Sequence, residues 1–130
     1  MESNKGVFLN DEPTEQDPSI YQAWRIAKKL DDQPTKLLLV PKLSEPDPQI
    51  WRIPYLQTIL HRYRPHKEQL SLLCPSSAMI VVIEGRGLDV LDDLIDKRLI
   101  ASVHVFDENI HQPIGNDVPI VTDITVETSS

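Results

Sequence analysis

The sequence predicts a single α+β domain. The expected architecture is a mixed or antiparallel sheet with a β-hairpin followed by a helix and strands, and helices mainly on one face. Three observations predict it. Leu70, Leu72 and Cys74 alternate with Gln69, Ser71 and Leu73, the period of a strand. Met79–Ile83 is apolar at every position, and Leu88, Leu91, Leu94, Ile95 and Leu99 recur at helical spacing opposite Asp89, Asp92, Asp93, Asp96 and Lys97. A chain of 130 residues, 40% hydrophobic and 25% charged, has the size and composition of one globular domain.

Taken in order, residues 1–17 read as a flexible acidic arm around one apolar patch, Val7-Phe8-Leu9, and 18–127 as the domain. Asp17-Pro18 has the form of a helix start. Ile20, Ala23, Trp24, Ala27 and Leu30 then predict an amphipathic helix over 18–30, stopped at Asp31-Asp32-Gln33-Pro34. Lys36–Val40 predicts a strand closed by Pro41, and Pro41, Pro46 and Pro48 keep 41–49 irregular. Trp51, Ile53 and Tyr55 alternate as a strand, and Leu56, Ile59, Leu60 and Tyr63 predict a turn or two of helix before Pro65.

The Gln69–Cys74 strand meets a hairpin-length connection at Pro75-Ser-Ser-Ala. Met79–Ile83 reads as a central strand covered on both faces, so that Val82→Asp is expected to unfold the protein. Gly85-Arg86-Gly87 breaks that strand before the acidic-faced helix. Ser102–Phe106 predicts another strand, Asp107–Asp117 a polar loop, and Val118–Val126 a last strand placed at an edge by Pro119. Residues 128–130 read as a frayed tail.

The net charge is −7, unevenly distributed. Residues 1–50 carry nine acids and six bases, residues 51–75 one acid and four bases, and residues 76–130 ten acids and three bases. Nucleic acids and anionic membranes select basic faces, so neither is an expected partner. No apolar run reaches the roughly 20 residues of a membrane helix. Met1-Glu-Ser-Asn-Lys lacks the basic and apolar regions of a secretory leader. The single Cys74 has no partner for an intrachain disulfide, which suits a reducing cytoplasm.

Four constellations bear on chemistry. Strand, Gly85-x-Gly87, helix, strand and Asp107 together superficially resemble the opening of a dinucleotide-binding fold. The third glycine position holds Val90, however, and too few residues follow for the remaining strands. His61-Arg-Tyr-Arg-Pro-His-Lys67 concentrates cations that suit an anion, with Arg62, Arg64 and Lys67 as the contacts. Asp89, Asp92, Asp93 and Asp96 share a helical face but lack a calcium-binding loop, so a solvated surface is expected. His104, Asp107 and His111 have the types of metal ligands without a motif that fixes their approach. No cofactor, metal site or catalytic residue is therefore expected.

The resulting expectation is a non-enzymatic cytoplasmic protein that works by contact with a protein partner or as a homo-oligomer. Trp24, Trp51, Ile53 and Tyr55 are the aromatic and apolar candidates for that interface. The alternative is an anionic ligand or single-stranded nucleic acid at Arg62, Arg64 and Lys67.

Overall fold

The computed structural model describes residues 17–26, 34–55 and 59–128. Among them are eight strands and one α-helix: β1 Trp24–Ile26, β2 Lys36–Val40, β3 Trp51–Pro54, β4 Leu60–Arg64, β5 Gln69–Cys74, β6 Met79–Arg86, α1 Leu88–Asp96, β7 Ile100–His104 and β8 Ile120–Thr128. The strands form two four-stranded sheets, ordered β1-β7-β2-β3 and β4-β5-β6-β8. In the first, β2 and β7 are parallel while β1 and β3 flank them antiparallel. The second is antiparallel throughout. The α+β expectation thus holds loosely, with sheet predominating and two sheets in place of one.

One apolar cluster joins both sheets and the helix. It includes Leu37, Leu39 and Ile53 of the first sheet, Leu70, Leu72, Val81 and Ile83 of the second, and Leu88, Leu91 and Ile95 of α1. The helix packs against β4 and β5 on one side and β7 on the other, as its apolar stripe requires. Both β4–β5 and β5–β6 are closed by the same device. A Pro-initiated 3₁₀ turn, Pro65–Lys67 or Pro75–Ser77, ends on a left-handed residue, Glu68 or Ala78, whose N–H returns to the proline carbonyl.

Two predicted helical segments are strands instead. Residues 24–26 pair with β7, Trp24 opposite Val103 and Arg25 opposite Ser102. Tertiary anchoring explains the reversal. The Tyr21 hydroxyl donates to the His104 carbonyl (2.6 Å) and accepts from the Val121 N–H (3.0 Å), tying the segment to both sheets. Leu60–Arg64 pairs with β5 from Leu60 opposite Leu73 to Arg64 opposite Gln69, so its alternation outweighs the helical spacing. Residues 18–23 of the predicted 18–30 helix are turn, bend and irregular chain, and Thr128 of the predicted tail is the last residue of β8, opposite Met79. Residues 27–30 of that helix, Leu56, and the arm and tail beyond 17–128 lie outside the described residues.

Strand β6 also departs from expectation. It is internal to its sheet, yet its residues alternate between buried and exposed, and Ile80 is 42% exposed. Met79, Val81 and Ile83 face the core, whereas Ile80 and Val82 face outward. A strand covered on one face only is the correction, and the core test at this strand belongs to Ile83 rather than half-buried Val82.

Candidate functional site

The outer face of the second sheet follows from strand alternation and register. Leu60, Leu73, Ile80 and Glu127 form one cross-strand row, Arg62, Ser71, Val82 and Thr125 the next, and Arg64, Gln69, Glu84 and Asp123 the third. Leu60, Leu73 and Ile80 are 52%, 41% and 42% exposed, three neighbouring large apolar side chains on adjacent strands. An antiparallel sheet with one solvated face normally alternates apolar inside with polar outside. Here the alternation breaks at the first row. The sequence carried a signal for this, because Leu73 interrupts the polar half of β5, and Ile80 and Val82 leave the outward half of β6 apolar up to Glu84.

Arg62 and Arg64 project from the same face at the β4 edge, and Lys67 lies in the 3₁₀ turn that follows. Among the described residues no carboxylate forms an ion pair with Arg62, Arg64 or Lys67. His61, by contrast, turns inward toward α1: its Nδ1 lies 2.5 Å from Asp92 Oδ1 and its Nε2 3.4 Å from Asp96 Oδ1. Lys97 pairs with Asp93 one turn away (2.9 Å). Part of the acidic face thus anchors β4, a contact between two segments that composition alone treats as separate surfaces.

The expected interface residues sit elsewhere. Ile53 is fully buried, and Tyr55 is buried with its hydroxyl donating to the Ile100 carbonyl (2.7 Å). Trp24 and Trp51 are half-buried and pack against the same core. Buried side chains offer a partner no area, so Ile53 and Tyr55 belong to the core, while Trp24 and Trp51 pack on it with part of each ring exposed.

A concavity of about 460 Å³ lies beyond the carboxyl ends of parallel strands β2 and β7, lined by Arg25, Val40, His104, Asp107 and His111 among others. The fold therefore brings the separated His104, Asp107 and His111 to one place. Their polar atoms are already engaged in holding loops. Asp107 accepts from the backbone N–H groups of Ser44 and Asn109, each at 3.0 Å, and its own N–H donates to His111 Nδ1 at 2.9 Å. Hydrogen bonds from the Ser44 side chain, then from the Asn109 and Ser44 backbone, hold the carboxyl below its ordinary range. His111 also stacks on Phe106, ring centres 5.5 Å apart. Among the described residues, no three His, Cys, Asp or Glu side chains converge as a metal site.

His104 makes this region pH-sensitive. Burial, then the Arg25 charge and His111, push its imidazole down to about 4. An unfolded histidine titrates near 6.5, so between those values the unfolded chain binds more protons and stability falls as pH drops. Burial raises Tyr21 and Tyr55 to about 12, so stability also falls as pH rises past about 10, where an unfolded tyrosine ionises. The urea midpoint is expected to be flat from about pH 7 to about pH 8 and to decline on both sides, on the alkaline side first through Cys74, whose thiol burial raises, and then through the tyrosines. His104→Gln should flatten the decline between about pH 6.5 and about pH 4.5; an unchanged slope would contradict the neutral, buried imidazole.

The Gly85-x-Gly87 turn is occupied by packing. A Cβ on Gly85 would stand 2.0 Å from the Ile120 carbonyl oxygen, and one on Gly87 3.1 Å from Pro119 Cβ. The strand after the helix joins the other sheet, pairing with β1 and β2 and not with β6. The dinucleotide-binding resemblance therefore ends at the turn, because its two strands belong side by side in one parallel sheet.

Among the described residues, no helix is long and apolar enough to cross a membrane. Comparison with protein-family models, with curated proteins and with solved structures finds no match to this chain.

Proposed function

We propose that this protein works by contact with another protein across the outer face of the second sheet, and that its role is non-enzymatic. One observation carries the reading: Leu60, Leu73 and Ile80 form a continuous exposed apolar row on three adjacent strands. Leaving that row in water forgoes roughly 25 cal/mol for each Å² that a partner would cover. Contiguous apolar surface of this type marks interaction sites more often than scattered single residues do. A reducing cytoplasm suits the free, buried Cys74, whose thiol burial pushes up and so keeps unreactive.

The test places a photo-crosslinking phenylalanine at position 80 of the full chain, in the cells that express it. Position 90 on α1 is the control, because Val90 is 49% exposed and lies on the helix. Adducts are expected at 80 and not at 90. Equal labelling at both positions, or none at 80, would overturn the contact reading.

The second reading, an anionic ligand or single-stranded nucleic acid, is favoured by Arg62 and Arg64 having no described carboxylate partner. Fluorescence anisotropy with a single-stranded oligonucleotide separates the two. The contact reading expects no sub-micromolar affinity at physiological salt. Tight binding whose log–log salt slope flattens by about 0.7 per lost contact in the Arg62/Arg64/Lys67→Ala variant would favour the anion.

A further inference from the structure

We infer, resting on the contact reading above, that the partner on this face is a second copy of the same chain, docked face to face about a twofold axis parallel to the strands. The charge pattern supplies the reason. Arg62 and Arg64 occupy the β4 edge of the outer face, Asp123 and Glu127 the β8 edge, and Leu73 and Ile80 lie between them on β5 and β6. A face with opposite charge at its two edges complements itself when a half-turn about the strand direction brings β4 over β8.

The cross-strand rows say what then meets. Arg64 faces Asp123 of the second copy, Gln69 faces Glu84, Leu73 faces Ile80 and, at the outer ends of that apolar row, Leu60 faces the stem of Glu127, each pair occurring twice as an isologous interface requires. Arg62 falls opposite Thr125, between Asp123 and Glu127. The alternative half-turn, across the strands, sets β4 on β4 and stacks Arg62 against its own copy, with Asp123 against Glu127. Like charges so juxtaposed repel, and the pattern selects the first axis.

Within one chain Arg64 and Asp123 stand three strands apart, ~14 Å at ~4.8 Å per strand, too far to pair. Their complementarity is therefore not satisfied within one chain and is available to a second one. The size of the face sets the strength. Four strands of about seven residues, at ~4.8 Å spacing and ~3.4 Å rise, present a footprint of about 450 Å² per copy. Two such faces total about 900 Å², below standard specific interfaces and in the range of weak, transient contacts.

The experiment measures self-association of the full chain by sedimentation equilibrium from about 1 to about 500 µM, with thermal melts as a control for folding. A monomer–dimer equilibrium with a micromolar Kd is expected. Arg64→Asp alone and Asp123→Arg alone should each weaken it about ten-fold while melting near the parent temperature. Mixing the two variants should restore association, because every 64–123 contact is then between opposite charges, and so should combining both changes in one chain. A monomer at all concentrations, or a dimer indifferent to these charges and their exchange, would overturn the second-copy assignment. The outcomes separate the two proposals. Crosslinks from position 80 to other proteins, with a monomeric chain, remove the second copy and keep the contact reading; no crosslinks at 80 remove both.

Discussion

Gly85→Ala is expected to lower the stability of the protein by about 3 kcal/mol, read as a shifted urea midpoint at unchanged m-value. Gly85 sits where the β6–β8 register slips, between Glu84 opposite Asp123 and Gly85 opposite Val121. At that slip the strands come so close that a Cβ would lie 2.0 Å from the Ile120 carbonyl oxygen and 2.9 Å from Val121 Cα. Both are backbone atoms and cannot rotate away. The methyl must push β8 off β6, opening the longest ladder of the second sheet and shifting Val121, which is fully buried and whose N–H donates to Tyr21. Gly87→Ala is the internal comparison. Its backbone is left-handed (φ 74°), and its Cβ would meet only the Pro119 ring at 3.1 Å, so a cost of about 1 to 2 kcal/mol is expected. Equal costs for the two variants would mean that β6 and β8 do not approach as described.

What the sequence made legible was the part of the fold held by local alternation. Strands β2, β3, β5, β6 and β8, the hairpin connection at 75–78 and helix α1 all follow from spacing, because their apolar residues repeat with the period of the element that buries them. The failures share one physical cause, a long-range partner that local spacing cannot contain. Ile20, Ala23 and Trp24 have helical spacing, but Tyr21 is claimed by His104 and Val121, residues 83 and 100 positions away. Leu60 and Tyr63 fit a helix until β5 offers a complete ladder. The five apolar residues at 79–83 gave the wrong burial because an apolar run has two explanations, a strand covered on both faces or one apolar face left for a partner. For the same reason the site was half visible. Arg62 and Arg64 were apparent as charges, whereas the row formed by Leu60, Leu73 and Ile80 exists only once three strands are placed in register.

Those two explanations of the run make opposite predictions for neighbouring residues, and Ile83→Asp and Ile80→Asp decide between them. Ile83 is fully buried, paired between Leu70 and Ile124. A carboxylate there has no cation to meet, and burying it unpaired costs on the order of 5 kcal/mol, comparable with the whole stability of a domain of this size. The variant is expected to be unfolded by circular dichroism at room temperature. Ile80 lies three residues earlier on the same strand and 42% exposed, with Leu73 on one side and Glu127 on the other. Its carboxylate stays hydrated, so Ile80→Asp should melt cooperatively within about 1 kcal/mol of the parent chain. A strand covered on both faces would lose its fold in both variants. Loss of fold from Ile80→Asp alone would therefore remove the exposed apolar row, and with it the surface on which the contact reading depends.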